Sequence, residues 1–190
     1  FRLASFHQNV FIHEVEVSSY PLFKYPPYAL SLATKLVDVC KQYGLDLIHS
    51  HYAVPHAASA YLAKQMLGSE KLKTVTTLHG TDITLVGLDK SFYQVIKFNI
   101  EESDGVTAVS EYLQKRTQEE FAIQREIRVI HNFADTERFS GSANNCTKDH
   151  FAPNGEKILM HASNFRPVKR VTDVVRIFAT IRKQLPVKLL

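Results

Sequence analysis

Two hydrophobic periods alternate along this chain. Short apolar or β-branched runs occur at residues 45–49, 73–78, 105–109, 127–130 and 157–162. Between them lie segments whose apolar residues recur three and four positions apart, as on one face of a helix. The spacing predicts a helix over 29–43, with Leu32, Leu36, Val39 and Cys40 on its stripe and Gly44 ending it. Further helices are predicted over 57–67, over 91–102 with Ser91 as cap, and over 110–121 with Ser110 as cap. A last amphipathic helix is expected over 171–183, stopped by Pro186 ahead of another strand at the end of the sequence. Residues 10–17, VFIHEVEV, alternate as a half-exposed strand would. Strand and helix in strict alternation imply an α/β fold, a parallel sheet with helices expected on both faces.

In such a sheet the carboxyl ends of the strands share one edge, and ligands bind there. Four loops are therefore expected to converge, at 49–56, 79–84, 110 and 131–135. The most informative is the stretch TVTTLHGTDIT at 74–84, where a β-branched strand stops abruptly in His79-Gly80-Thr81-Asp82. A histidine, a flexible glycine, a hydroxyl and a carboxylate suit proton handling or sugar hydroxyls better than packing. Residues 20–28, YPLFKYPPY, are aromatic and rich in proline and read as a rigid irregular segment, either a packed surface loop or the wall of a cleft or interface. Polar residues 141–155 read as a linker, with a second α/β unit beginning at Glu156.

Composition narrows the class. The chain has 190 residues, 45% hydrophobic and 22% charged, with a formal net charge of +4, as in an ordinary soluble globular protein. The basic residues are scattered apart from Arg166, Lys169 and Arg170, which is too sparse for a nucleic-acid footprint. Cys40 and Cys146 form neither a metal-ligand spacing nor a disulfide framework, and a reduced, cytoplasmic setting is expected. No apolar stretch is long enough for a transmembrane helix, and no signal peptide is seen, although the sequence starts at Phe1 and both ends suggest a piece of a longer protein.

Among chemical candidates, His79 could donate to a substrate oxygen or accept a proton; a core histidine is the competing reading. Asp82 could orient His79, bind a hydroxyl or cap the next segment. Thr77 and Thr81 offer hydroxyls at the strand end, and Lys97 a cation on a helix, unless it is simply solvated. His49, His51 and His56 lack a companion carboxylate or thiol, so they read as local packing or hydrogen-bonding groups rather than metal ligands; Tyr52 is expected to point into the cleft. Arg166, Lys169 and Arg170 precede a helix, where cations oppose the helix field unless an anion such as a diphosphate joins them. The chain carries no P-loop, dinucleotide fingerprint, nucleophile elbow or zinc-deaminase motif.

The motifs HSHYAVPH at 49–56, VTTLHGTDIT at 75–84, HNF at 131–133 and SNFRPVKR at 163–170 together resemble the retaining glycosyltransferases of family 4. These have the GT-B architecture, two Rossmann-like domains with parallel sheets facing a cleft. With YPPY at 25–28 and AYLAKQM at 60–66, the resemblance is nearest to members that glycosylate L-malate at the start of bacillithiol biosynthesis, and it covers essentially the whole chain. It implies that residues 1–140 form most of an acceptor-binding domain, without its first strand and glycine-rich loop, and that 156–190 begin a nucleotide-sugar-binding domain. N-acetylglucosamine would pass from its uridine diphosphate to the malate hydroxyl. The α configuration would be retained by front-face attack assisted by the leaving diphosphate, with no cofactor and no metal strictly implied.

Carried over residue by residue, the resemblance makes His79 and Asp82 catalytic, with His79 beside the sugar. It assigns Tyr52, Thr77 and Lys97 to the acceptor, and Asn132, Asn164, Arg166 and Lys169 to the donor. Lys97 stands where an arginine is common, and Asn164 where many relatives have arginine. The malate-specific members share that asparagine. The partners implied are a nucleotide sugar and a small dicarboxylic acid, with no nucleic acid; the aromatic segment 20–28 could support a homo-oligomer. With the donor site incomplete, this chain alone is expected to be inactive. A different acceptor (a lipid, sugar phosphate or glycan), a nucleotide-sugar epimerase on the same fold, and a non-catalytic binding module remain as alternative readings.

Overall fold

The computed structural model describes residues 9–68, 70, 72–84, 87, 89–140 and 148–190. The chain divides into two compact units between Phe133 and Ala134, ahead of the composition change after Ser140. In the first unit, α1 (Tyr28–Tyr43) leads to β1 (Leu47–His51), an irregular turn (Ala53–Ala57) and α2 (Ala58–Leu67). Then come β2 (Lys73–Leu78), the single turn α3 (Thr81–Thr84), α4 (Lys90–Glu102), β3 (Gly105–Ala108), α5 (Glu111–Phe121) and β4 (Arg128–Val129). The four strands form one parallel sheet in the order β1-β2-β3-β4. His51 lies opposite Thr77, Thr77 opposite Thr107, and Ala108 opposite Val129, so the four carboxyl-terminal loops do share one edge.

Alternate strand residues build the core. Ile48 packs with Cys40, Ala60, Ala63 and Leu72 under α1 and α2. Leu78, Val106 and Ala108 pack with Ile96, Ile100, Leu113 and Phe121 from α4 and α5. Both clusters lie on the same side of the sheet, which corrects the expectation of helices on both faces. Among the described residues of this unit, the opposite face has no helix: Leu47, His49 and His51 are exposed there and Val75 and Thr107 are half-buried. That face is where the site's side chains stand. Cys40 is a free, buried thiol whose pKa is pushed up by burial. Cys146 and residues 141–147 of the expected linker lie outside the described residues.

Several boundaries follow local chemistry. Gly44 closes α1 in the left-handed conformation at φ 61°. Ser110 caps α5, its Oγ accepting from the Leu113 amide at 3.2 Å. The cap of α4 is Asp89, whose carboxylate accepts from the Ser91 amide at 2.9 Å and its hydroxyl at 2.7 Å, so Ser91 is the capped residue and not the cap. Arg125 closes the other end of α4 by donating to the carbonyls of Ile100, Glu101, Ser103 and Asp104. Residues 10–17 are not a strand. No described strand lies beyond β1 to pair with them; Phe11 stacks on Tyr43 at 5.7 Å instead, against the end of α1.

At the edge of the sheet opposite the loops, Asp104 holds strand and helix together. Its carboxylate accepts from Lys64 Nζ at 2.6 Å and from the Thr74 amide at 2.8 Å, with Lys73 Nζ at 3.3 Å. Burial pushes this carboxyl up, but the Lys64 hydrogen bond and charge, the Thr74 amide and Lys73 outweigh it and hold Asp104 well below the usual carboxylate range. A depressed folded-state pKa means stabilisation that is complete above the unfolded pKa, about 3.9, and is lost as pH falls through the folded value. Urea unfolding between pH 7 and pH 2 is therefore expected to show an acid loss of stability that Asp104→Asn reduces. An unchanged acid slope in that variant would show that the carboxylate contributes nothing.

The second unit contains the single turn α6 (Lys148–Phe151), β5 (Lys157–Leu159), a 3₁₀ turn (Pro167–Lys169), α7 (Val171–Ile181) and β6 (Val187–Leu189). Strands β5 and β6 pair in parallel, with Ile158 opposite Lys188. No helix of the described residues is long and apolar enough to cross a membrane.

Candidate active site

The loop after β2 is shaped by one buried carboxylate. Asp82 is 2% exposed. Its Oδ1 accepts from the Gly80 amide at 3.0 Å and the His79 amide at 3.4 Å, and its Oδ2 from the Ala53 amide at 3.0 Å. Ala53 is fully buried, and its carbonyl accepts from Asn99 Nδ2 at 2.8 Å. Both backbone polar groups of a buried turn residue are thus satisfied by side chains from other elements, Asp82 from the histidine loop and Asn99 from α4. Asp82, expected among the catalytic residues, is buried within this loop. Its oxygens are engaged with backbone amides of the two loops that frame the site. Gly80 has φ 115°, a conformation that a residue with Cβ adopts only under strain. A Cβ on Gly87 would lie 2.4 Å from the Ile83 carbonyl oxygen and 2.7 Å from the Phe121 ring, so the backbone can close over α3 only without a side chain there.

Around this loop the histidines and Tyr52 gather. His51 Nδ1 and His79 Nε2 are 2.7 Å apart. The Tyr52 ring centroid lies 5.0 Å from that of His79. Tyr52 has φ 78° and ψ 135°, rare for a residue with a side chain, and its amide donates to the Thr77 carbonyl at 2.9 Å. Such a conformation costs on the order of 1–3 kcal/mol, sustained by the surrounding bonds. It places a phenol beside an imidazole at the strand ends. His49 Nε2 meets Thr77 Oγ1 at 2.7 Å, and Thr77 Oγ1 meets Thr107 Oγ1 at 2.7 Å. The pKa of His79 is lowered by burial and by neighbouring His51, with Asp82 opposing; that of His49 is lowered by desolvation, then by His51 and His79. Both rings are therefore neutral at pH 7. The cluster offers imidazole, phenol and hydroxyl groups suited to hydroxyl and carboxylate oxygens. His56 turns away, its Nδ1 donating to the His51 carbonyl at 2.6 Å, and among the described residues no group of three or more His, Cys, Asp or Glu is arranged to hold a metal ion.

Of the residues expected to act, His79, Tyr52 and Thr77 are brought to this edge. Lys97 pairs along α4 with Glu101, Nζ to Oε1 3.7 Å. Asn132 follows β4 in an exposed segment, beside His131, whose Nδ1 donates to the Val109 carbonyl at 3.2 Å. In the second unit, Arg166 Nε donates to Asn164 Oδ1 at 3.4 Å, and Lys169 is exposed at the end of the 3₁₀ turn. Arg170 does not remain a free cation for an anion. It is bonded to Asp173 at 2.6 Å, and its left-handed φ of 50° starts α7. The α7 amino terminus has no side-chain cap, and its Asp173 amide donates to the Arg170 carbonyl at 2.9 Å.

Sequence reasoning missed Asn99 and Thr107, and read His51 only as a local group. Asn99 had a signal, a polar residue on the apolar stripe of Ile96 and Ile100. Thr107 had none, since its place opposite Thr77 depends on strand register.

The sequence profile of Glycosyltransferase Family 4 matches residues 2–138. The chain is 50% identical over 192 aligned residues to the N-acetyl-alpha-D-glucosaminyl L-malate synthase of Bacillus anthracis, an alignment covering 100% of this chain and 50% of that protein. It is 27% identical over 132 residues to an uncharacterized glycosyltransferase of Methanocaldococcus jannaschii, covering 69% of this chain and 35% of that protein. The chain thus spans half or less of the length of these relatives. Among solved structures, a glycosyltransferase from Rickettsia africae superposes with a TM-score of 0.60 at 18% identity, covering 93% of this chain and 54% of that one. That likeness establishes the fold, α/β with parallel sheets, as in part of a GT-B enzyme. With the family profile matching most of the chain and a relative at 50% identity across all of it, the chain belongs to glycosyltransferase family 4.

Proposed function

We propose that this chain is part of an enzyme that transfers N-acetylglucosamine from UDP-N-acetylglucosamine to the hydroxyl of L-malate with retention at the anomeric carbon. The observation that carries the reading is the identity of 50% across the whole chain to a protein named for that synthesis. In this reading the first unit receives malate. Tyr52 and Thr77 supply hydroxyls at the strand ends, and Lys97 supplies a cation for the carboxylates once it leaves Glu101. His79 lies against the sugar as a neutral hydrogen-bonding group. In the second unit Asn164, Arg166 and Lys169 hold the diphosphate ahead of the amino terminus of α7, where helix field and cation act together. Asn132 contributes to the donor side. The new glycosidic bond forms as the bond to the diphosphate breaks, and the malate hydroxyl proton leaves on the diphosphate oxygen. No protein nucleophile is needed.

The test is UDP release by the full-length protein in the presence of UDP-N-acetylglucosamine and a panel of acceptors. Malate-dependent release, with an α-linked product by NMR, is the expected result. Release only with a lipid, sugar phosphate or glycan acceptor would replace malate while keeping the family chemistry. The 190-residue chain alone is expected to give no turnover, since it spans 50% of the length of the synthase it resembles.

A further inference from the structure

Two imidazoles at the strand ends share a single hydrogen bond. His51 Nδ1 and His79 Nε2 stand 2.7 Å apart, so one proton lies between them. We infer that His51 is a positioning residue for His79, fixing its ring orientation and its tautomer and thereby what His79 Nδ1 presents to a ligand. The inference rests on the role given to His79 in the proposed reaction.

The two residues are held very differently. His51 is the last residue of β1, paired in register with Thr77. Its carbonyl accepts from His56 Nδ1 at 2.6 Å, and its ring stacks on His49 with centroids 4.7 Å apart. His79 lies beyond the end of β2 and beside a glycine with φ 115°. Its main chain is held by Asp82 and its ring lies 5.0 Å from that of Tyr52; among the described residues the hydrogen bond between His51 and His79 is the only one either ring makes. The ring carried by the paired strand therefore sets the position of the ring carried by the loop.

Proton bookkeeping makes the consequence chemical. In a neutral pair, if His51 Nδ1 carries the proton, it donates to a bare His79 Nε2, and His79 Nδ1 must then be a donor. If His79 Nε2 carries the proton, His79 Nδ1 is a bare acceptor. The hydrogen bond couples the two tautomers, so the arrangement the pair adopts sets the role of His79 Nδ1. A sugar hydroxyl or a developing charge then meets a group whose polarity is set through His51, as in a preorganised site.

The bonding atom of His51 is Nδ1, and this decides the choice of variants. An asparagine places its amide group near the position of Nδ1, whereas a glutamine places it near Nε2, and phenylalanine keeps only the ring shape. In the full-length protein, His51→Phe and His51→Gln are expected to lower kcat for sugar transfer about tenfold, with the KM for malate within about twofold, because misorientation without lost binding acts on kcat. His51→Asn is expected to recover most of that loss. In ¹⁵N-labelled protein, the His79 ring nitrogens should give one protonated and one bare signal in the unsubstituted and His51→Asn forms, and averaged signals in the other two.

Averaged His79 signals in the unsubstituted protein would overturn the inference, as would signals unaffected by His51→Phe or an Asn variant no better than the Phe variant. The ring signals do not depend on turnover. If no sugar transfer is found with any acceptor, the proposed reaction fails while the NMR comparison still decides the positioning claim.

Discussion

Asp82→Ala is expected to lower the unfolding free energy by about 3–5 kcal/mol, the largest stability effect of any single truncation at the site. The reason lies in what the substitution leaves behind. Asp82 receives amide hydrogens from Ala53 at 3.0 Å and Gly80 at 3.0 Å, and Ala53 is fully buried. Removing the carboxylate leaves these donors without their acceptor, at roughly 1–3 kcal/mol for each buried group. In a chain of 190 residues, a loss of this size corresponds to a fall of about 10 °C or more in Tm. Asp82→Asn should cost about half as much, since an amide has one accepting oxygen and cannot serve both Gly80 on Oδ1 and Ala53 on Oδ2. Thermal and urea unfolding of the two variants measure this. A change below about 1 kcal/mol for the alanine form would show that the loops hold their shape without Asp82.

This assignment shows where the sequence was legible and where it was not. Strand β2 was read correctly to the residue, since Lys73–Leu78 is a β-branched run ending in a glycine loop. Ser110 at the start of α5 and Gly44 after α1 were readable for the same reason: capping is local chemistry. The convergence of loops at one edge followed from the alternation of strand and helix. What could not be read depended on residues far apart in sequence. Asp82 sits in a motif that suggests catalysis, yet its oxygens serve a backbone amide 29 residues away. His51 and His79 meet across 28 residues because β1 and β2 pair in one particular register. The valine alternation at 10–17 predicted a strand because periodicity reports which residues are half-buried, not whether another strand is available to pair. Two-sided burial was inferred from the strand order, a property of complete doubly wound sheets. The described residues put their helices on one side only, leaving the face that carries His49 and His51 exposed.

In the proposed reaction, His79→Ala should reduce kcat by about 10²–10³ while leaving the fold intact, the size of effect found when one preorganised hydrogen-bonding group is removed from a charge-stabilising site. The backbone of residue 79 is held by Asp82 at 3.4 Å through its amide, which alanine retains. Its side chain contributes one partly exposed hydrogen bond, to His51 at 2.7 Å, so the stability cost should stay near 1 kcal/mol. A large kinetic loss with a small stability loss is what separates a group acting on substrate from one acting on structure, and Asp82 should show the reverse balance. The pH profile adds a sign. Burial and His51 lower the His79 pKa, so its neutral form persists below the usual histidine value of about 6.5. If the neutral ring is the active form, kcat should stay level from pH 8 down to about 6.5 and fall only below it; a general base with an ordinary pKa would already lose activity at that point. His79→Gln retains an amide in reach of a hydroxyl and should recover part of the loss without restoring any acid limb. Steady-state kinetics of the full-length protein from pH 5 to pH 8 measure all three forms. Equal kcat for His79→Ala and the unsubstituted enzyme would remove His79 from the chemistry.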